Sequence, residues 1–311
     1  MPSKTQELTK KGFINPPSWL PHNVHYETMM GSVAYGVSAD TSDLDVYGFC
    51  IPPKEIIFPH LAGEILGFGQ PKERFEQFQQ HHIIDEHAMG GDGRSHDVAI
   101  YNIVKYFQLC MENNPNMIDS LFTPQFCVLH ITKVGGMVRD QRKMFLHKGS
   151  WHKFKGYAYS QLHKMTTKDP KGKRKEVRDQ FGFDVKFAYH VIRLLDEAEQ
   201  ILVHGDIDIQ RNREQLKAIR RGEVTEEEIR RWASDKEKDL EKTYAESKLQ
   251  HAPDEEKIKA LLLECLEEHY GSLEKAFVNP NAESLALREI AEIVDKFRNK
   301  IPKKNFLSRW F

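Results

Sequence analysis

A glycine–serine pair and two closely spaced aspartates fall in one short segment, MMGSVAYGVSADTSDLDVYGFCIPP at residues 29–53. Gly31 and Ser32 follow the strand-like run VHYETMM. Backbone N–H groups at such a turn, together with the Ser32 hydroxyl, can bind a polyphosphate because a helix N-terminus attracts negative charge. A Gly-Ser turn is usually just a turn, so the aspartates decide how the segment is interpreted.

Asp43 and Asp45 have the spacing that places two side chains on one face of a strand. If residues 43–48 form a strand, their Cα atoms are about 7 Å apart, and Leu44 and Val46 point into the core. Two carboxylates on one face form a hard oxygen site of the kind that binds Mg²⁺ together with substrate phosphates. A solvated strand edge is the alternative, but strands disfavour aspartate and like charges repel.

Phosphoryl chemistry with two metal ions, about 4 Å apart, usually requires a further carboxylate on a neighbouring strand. Asp97 stands near the start of the run HDVAIYNI, which is typical of a strand and leads into a helical pattern. Asp85 and Glu86 also follow a short apolar run, so they remain alternatives. We favour Asp97 because its run is the better strand.

The histidines near these carboxylates do not have the spacing of a zinc site. His81 and His82 are adjacent, so in a strand they point to opposite faces, and no ligand spacing repeats at His87 or His96. We expect His96, beside Asp97, at the edge of the site.

The pattern of the chain changes near residue 128. From residue 23 to about 126, short strand-like runs alternate with Gly, Pro and Asp, which is typical of an α/β domain. After residue 128, apolar positions recur at helical spacing. A helix over residues 183–203 has Gly205 as its stop, and Thr225 with Glu228 forms a capping box. Further helices are predicted after Pro253-Asp254 and from Leu285 to Phe297.

Composition sets broad limits. The hydrophobic content of 40% can build a core, and four scattered cysteines in apolar runs predict buried free thiols. No run is long enough for a membrane helix and no signal peptide is evident, so we expect a cytoplasmic protein. A net charge of −1 argues against wholesale coating of nucleic acid but leaves local basic patches.

Gly31-Ser32, then Asp43-Leu44-Asp45, then the strand with Asp97 resemble the signature of the DNA polymerase β-like nucleotidyltransferase superfamily. Within it, GSVAYGVSADTSDLDVYGF, with NNPNMIDSLF and GYAYSQL downstream, resembles predicted nucleotidyltransferases associated with RNA repair and RNA ligase operons of bacteria and phages. The resemblance implies an α+β fold. A polymerase-β-like catalytic domain with a small mixed sheet would span residues 1–127, and a helical substrate-binding domain residues 128–311.

The resemblance also implies transfer of a nucleoside monophosphate from an NTP to an acceptor hydroxyl, with release of pyrophosphate and with two Mg²⁺ or Mn²⁺ ions. Gly31 and Ser32 would bind the β- and γ-phosphates. Asp43 and Asp45 would bind both ions, and Asp97 would bind the catalytic ion. Such transfers depend on positioning and charge neutralisation. The long insertion between the aspartate strands departs from the family pattern and leaves the third carboxylate open.

Lys186, His190, Arg193 and Glu197 are spaced by four, three and four residues, so they form one stripe on a predicted helix. Beside a nucleotide site this stripe could clamp phosphates, although a solvated helix face has the same spacing. We predict that Lys186, His190 and Arg193, with Tyr35, complete the nucleotide site.

The basic run from Lys164 to Arg178 has few acids, and its part at residues 166–178 is predicted to be disordered. It could close on nucleic acid through phosphate attraction, and a plain surface loop is the alternative. The run modestly favours nucleic acid over protein as acceptor, and the resemblance to RNA-repair nucleotidyltransferases implies an RNA end, with tRNA as one case. The residues predicted to contact it are Lys168, Lys171, Lys173, Arg174 and Lys175.

Two other functions fit the same residues. One is a protein adenylyltransferase resembling those of toxin–antitoxin systems, with a Ser, Thr or Tyr hydroxyl as acceptor. The other is a catalytically silent protein that only binds nucleotide or RNA. The intact glycine–serine pair and aspartates argue against silence, whereas the near-neutral charge keeps the protein acceptor open.

Overall fold

The computed structural model describes residues 2–38, 43–65, 67–69, 74–86, 93–169, 172–272, 290 and 293–294. The chain forms two compact units, Met1–His269 and Tyr270–Phe311. Nearly all described residues belong to the first unit. The helix predicted from Leu285 to Phe297 lies outside the described residues except at 290, 293 and 294, which are helical.

Five strands form one mixed sheet in the described part of the chain. They are β1 (Val24–Met30), β2 (Leu44–Cys50), β3 (Gln77–Asp85), β4 (Arg94–Asn102) and β5 (Val128–Ile131), in the spatial order β3-β4-β2-β1-β5. β2 and β4 are parallel, and the other neighbours are antiparallel. The predicted α+β fold with a mixed sheet is confirmed. The domain boundary at 127/128 stays a prediction, and it falls just before β5.

Some helices pack against this sheet, and others pack on one long helix in the second half of the described chain. They are α1 (Lys4–Lys10), α2 (Gly31–Ala34), α3 (Lys54–Ile57), α4 (Ile103–Met111), α5 (Pro115–Phe122), α6 (Lys133–Asp140), α7 (Ser150–Thr167), α8 (Lys173–Phe181), α9 (Val185–His204), α10 (Arg213–Arg220), α11 (Glu226–Glu246) and α12 (Glu255–Tyr270). Asp184 caps α9 at its start. Gly205 ends the helix, as predicted. The capping box of α11 is also present.

The segment predicted to be disordered is mostly helical. Thr167 ends α7, and Lys173 begins α8 after a short link. The sequence KRKEVRDQF consists mainly of good helix formers, and Gly172 and Gly182, both with positive φ, bound it. The helix propensity of these residues therefore explains why they form α8, although the segment is too polar to build a core.

Alternation along β2 and β4 separates a core face from a polar face. Leu44, Val46, Val98 and Ile100 are buried in one apolar cluster with Leu8 of α1. The intervening residues point to the other face, where α9 and its neighbours lie. The four cysteines are buried and free, as predicted. None of the helices in the described residues is long and apolar enough to cross a membrane.

A buried ion cluster joins the helical half to the sheet half. Arg193 of α9 is only 1% exposed, and its guanidinium donates to Asp119 of α5 and, at 2.8 Å, to Glu197 Oε2. Asp119 also accepts a hydrogen bond from the Tyr35 hydroxyl at 2.9 Å, and the Arg193 guanidinium lies 4.2 Å from the Tyr35 ring centroid. Burial raises the pKa of both carboxyl groups, and Arg193 opposes that rise.

Replacing Arg193 with Met should destabilise the protein by about 3–5 kcal/mol, because two buried carboxyl groups lose their cation. Urea unfolding measures this difference. Adding Asp119→Asn and Glu197→Gln should recover part of the loss, since no charge then remains buried. Arg221→Met is the matched control, because Arg221 pairs with Glu223 on the surface. Equal small losses for Arg193→Met and Arg221→Met would contradict this account.

Candidate active site

The parallel register of β2 and β4 makes Asp45 and Asp97 direct neighbours. Neighbouring strands lie about 4.8 Å apart, so the two side chains stand next to each other on the polar face. Asp43 is exposed and immediately precedes β2. The structure thus brings together the three aspartates that the sequence singles out.

Asp45 stands in an electrostatically unfavourable place. Burial, followed by repulsion from Asp97 and Asp43, raises its pKa to about 6, although Lys186 and His81 oppose the rise. A cation that binds beside a carboxylate in this environment stabilises its ionised form. The polar face of β2 therefore favours a positive ligand.

Gly31 leaves the space that the Asp45 carboxylate occupies. Its φ of +64° lies in the left-handed region, and a Cβ atom there would come within 1.9 Å of Asp45 Oδ2. Any side chain at this position would displace the carboxylate or the turn. Ser32 follows in the single-turn helix α2, so the Gly-Ser pair lies against the acidic pair.

These residues line a cavity of about 730 Å³ between the sheet and the helices. Ligand pockets are commonly about 300–1,000 Å³, so the volume suits a molecule the size of a nucleotide. The lining residues are Met30, Gly31, Ser32, Tyr35, Asp43, Asp45, Tyr47, His82, Asp97, Asn116, Tyr157, Val177, Asp184, Val185, Lys186, Tyr189, His190 and Arg220.

The predicted stripe on α9 divides between the cavity and the interior. Lys186 is exposed and lines the cavity with His190 and Tyr35. The prediction that Arg193 binds the nucleotide is wrong, because its guanidinium is buried and ion-paired with Asp119 and Glu197. Glu197 is buried as well. Arg193 therefore affects the site through the elements it holds, α9, α5 and Tyr35.

The structure corrects the expectation for His96 and places the alternative carboxylate Asp85 away from the cavity. His96 points to the opposite face of β4, where it is buried, because alternate residues of a strand face opposite ways. It is not at the edge of the site, whereas His82 lines the cavity. Asp85 pairs with Lys11 at 3.1 Å and stands opposite Arg94, away from the cavity.

Sequence reasoning missed several lining residues. Arg220 of α10 donates a hydrogen bond to the Val37 carbonyl, which ties the helical half to the chain just after α2. Its only signal is that it is a basic residue on a surface helix. Tyr47 continues the alternation of Asp43 and Asp45, and Asn116 is the second residue of α5, within the run NNPNMIDSLF. These two residues therefore had a local signal.

The donor chemistry fits Mg²⁺. Among the described residues, no three His, Cys, Asp or Glu side chains gather tightly enough to hold a metal ion by themselves. Mg²⁺ does not need such a cage, since it usually binds one or two carboxylates, water and substrate phosphates. Asp45 and Asp97 provide hard oxygen donors, and the space beside Gly31 gives the Asp45 carboxylate room.

A mixed sheet that sets two aspartates side by side next to a glycine–serine turn is the arrangement expected of a polymerase β-like nucleotidyltransferase. The chain belongs to the RNA repair pathway DNA polymerase beta family, whose sequence profile (RlaP) matches residues 14–279. It is therefore a nucleotidyltransferase of that class.

No curated protein shows significant similarity to the chain. Among solved structures, a nucleotidyltransferase-like protein from Exiguobacterium sibiricum 255-15 is similar at 10% sequence identity, with a TM-score of 0.28. That match covers 95% of this chain and 90% of the other. Membership of the family rests on the match over residues 14–279.

The raised pKa of Asp45 predicts a pH-dependent difference in stability between the metal-free wild type and Asp45→Asn. A raised carboxyl pKa contributes stability that is present below pH 3.8 and lost as the pH rises through about 6. The variant should therefore match the wild type near pH 4 and exceed its free energy of unfolding by about 2–3 kcal/mol at pH 7. Urea unfolding in EDTA measures this difference.

Added Mg²⁺ should narrow the difference at pH 7, because the cation stabilises only the ionised wild-type carboxylate. A difference that stays constant between pH 4 and pH 7 would contradict the assigned environment of Asp45.

Proposed function

We propose that this nucleotidyltransferase moves a nucleoside monophosphate from an NTP to the end of an RNA, with tRNA as one case, and releases pyrophosphate. The observation that carries the proposal is the in-register pair Asp45 and Asp97 beside Gly31, in a cavity with Lys186 on the opposite wall. The acceptor oxygen attacks the α-phosphorus, and the bond from that phosphorus to the oxygen bridging to the β-phosphate breaks.

The residues divide this work between two walls. On the sheet wall, Asp45 and Asp97, with Asp43 at the entrance, would hold Mg²⁺ or Mn²⁺, which neutralises phosphate charge when bound. Gly31 and Ser32 would bind the β- and γ-phosphates of the NTP. Donors and charges aimed at the phosphates in this way stabilise the charge that develops during transfer.

On the helical wall, Lys186 and Arg220 would attract the triphosphate, and His190 would border it. Lys186 is exposed and already lowers the pKa of Asp45, so its charge reaches the acidic pair. Its place at the start of α9 allows it to reach a phosphate while α9 itself is fixed by the Arg193 cluster. These roles supply the positive charge that pyrophosphate needs as it leaves.

The basic helix α8 supports RNA as the acceptor. Val177 of α8 lines the cavity, so this helix borders the site rather than standing apart from it. Lys175 is exposed, and Lys168 lies 5.7 Å from the Phe187 ring centroid at the start of α9. The side chains of Lys173 and Arg174, and all of Lys171, lie outside the described residues. A helix with several cations beside the cavity suits an RNA backbone.

Labelled transfer tests the reaction and the acceptor together. The purified protein receives each α-labelled NTP, Mg²⁺ or Mn²⁺, and a mixture of total RNA, tRNA, DNA oligonucleotides and extract protein. We expect label on RNA, and a loss of at least about 100-fold for Asp45→Asn and for Asp97→Asn, because each removes charge from the transition-state site. Asp239→Asn is the control, since Asp239 is exposed on α11.

Label on protein would favour the adenylyltransferase alternative. Transfer that survives both site substitutions would contradict the assigned active site, and no transfer with any acceptor would favour the silent binding protein.

Replacing Lys173, Arg174 and Lys175 with Ala should weaken RNA binding and flatten its salt dependence. Three lost phosphate contacts reduce the slope of log K against log salt by about 2 for single-stranded RNA. Fluorescence anisotropy at several salt concentrations measures the slope. The control replaces the exposed Lys238, Lys242 and Lys259 with Ala. An equal slope for the two triple variants would contradict a role for α8 in RNA binding.

A further inference from the structure

β3 carries a bulge directly opposite Asp97. Gln80 pairs with Val98 and Ile83 pairs with His96, so two residues, His81 and His82, face one residue of β4. An extra residue of this kind re-aims side chains and is common next to active sites. The bulge lies in the long segment between the two aspartate strands, β2 and β4.

Residues of the bulge contact both oxygens of the Asp97 carboxylate. The backbone N–H of His82 donates to Asp97 Oδ1 at 2.7 Å, and His81 Nδ1 lies 3.2 Å from Asp97 Oδ2. Each oxygen keeps a further lone pair for a cation. These two contacts fix the direction in which the carboxylate faces the cavity.

Neighbouring side chains fix the ring of His81. Gln77 Nε2 donates to Gln79 Oε1 at 3.2 Å, and Gln79 Nε2 lies 2.7 Å from His81 Nε2. Because the Gln79 amide nitrogen can only donate, His81 Nε2 accepts, and the ring proton is on Nδ1, which faces Asp97. The three side chains stand at alternate positions of β3, on the same face as Asp97.

The backbone of the bulge is strained. His82 has a φ of +54°, and among the described residues Asn113 is the other non-glycine residue with positive φ. Such a conformation costs free energy and persists where the surroundings enforce it, often at functional sites. Here it aims the His82 N–H at Asp97.

We propose that His81 and His82 are positioning residues, which hold the Asp97 carboxylate in the orientation that binds the metal ion. This inference rests on the proposed function, because it takes Asp97 as a metal ligand. Outer contacts of this type commonly contribute about 10–100-fold to metal affinity. The metal site would then include two residues of β3 that contact Asp97 and do not themselves bind the ion.

Mn²⁺ binding without nucleotide tests the role of His81. Titration followed by electron paramagnetic resonance should show binding weakened about 10–100-fold in His81→Ala. The Mg²⁺ concentration for half-maximal transfer should rise by a similar factor, with the KM for NTP at saturating metal unchanged. His81→Asn should restore binding, since its amide places an N–H near the position of Nδ1. Ile84→Ala is the control, because Ile84 is exposed on the same strand.

His82 is tested through its backbone. His82→Gly keeps the N–H and accepts a positive φ, so Mn²⁺ binding should be retained. His82→Val should weaken binding, because a β-branched residue resists this conformation. Circular dichroism melting establishes that each variant is folded, and a folded His82→Val that binds Mn²⁺ as the wild type does would overturn the role of His82.

The outcomes separate this inference from the proposed function. If Asp97→Asn abolishes transfer and weakens Mn²⁺ binding while the His81 and His82 variants equal the wild type, the positioning role is wrong and the proposed function stands. If Asp97→Asn binds Mn²⁺ and transfers nucleotide as the wild type does, the Asp97 assignment fails and the positioning role fails with it.

Discussion

The parallel pairing of β2 with β4 is the constraint on which the site depends. It places Asp45 beside Asp97 on the polar face, where burial and mutual repulsion raise the pKa of Asp45 to about 6. Neighbouring groups reduce the free-energy cost of ionising Asp45 without removing it. Lys186 supplies positive charge, Gly31 leaves space for the carboxylate, and the His82 N–H donates to Asp97. A cation bound between the two carboxylates would relieve this repulsion.

The Arg193 cluster holds the helical wall of the cavity in place. One buried guanidinium with two buried carboxyl groups costs desolvation free energy, so the cluster is not an efficient source of stability. Its value lies in geometry. It connects α9 to α5. Through Asp119 it also holds Tyr35, the residue directly after α2. Lys186 and Ser32 stand on elements that this cluster joins, so the cluster links the two walls of the cavity.

Local patterns predicted the parts of the fold that local physics decides. The alternation around Asp45, the stop at Gly205 and the capping box at Thr225 each depend on neighbours within a few residues. Other features depend on residues far away in the sequence, or on which face of a strand each residue occupies. Arg193 has the spacing of a surface stripe, and only the distant Asp119 shows that it is buried. One extra residue in β3 brings both His81 and His82 to Asp97, whereas strict alternation assigns them opposite faces.

The near-neutral net charge hides a division of charge across the cavity. The sheet wall carries Asp43, Asp45 and Asp97. The helical wall carries Lys186 and Arg220, beside the buried Asp184 that caps α9. The net charge of −1 sums over 45 basic and 46 acidic residues, so it does not show how charge is arranged around one cavity. A metal–triphosphate complex is itself divided, with a cation on one side and phosphate oxygens on the other. Its cation suits the sheet wall and its oxygens suit the helical wall, so a nucleotide bound with its metal satisfies both walls at once.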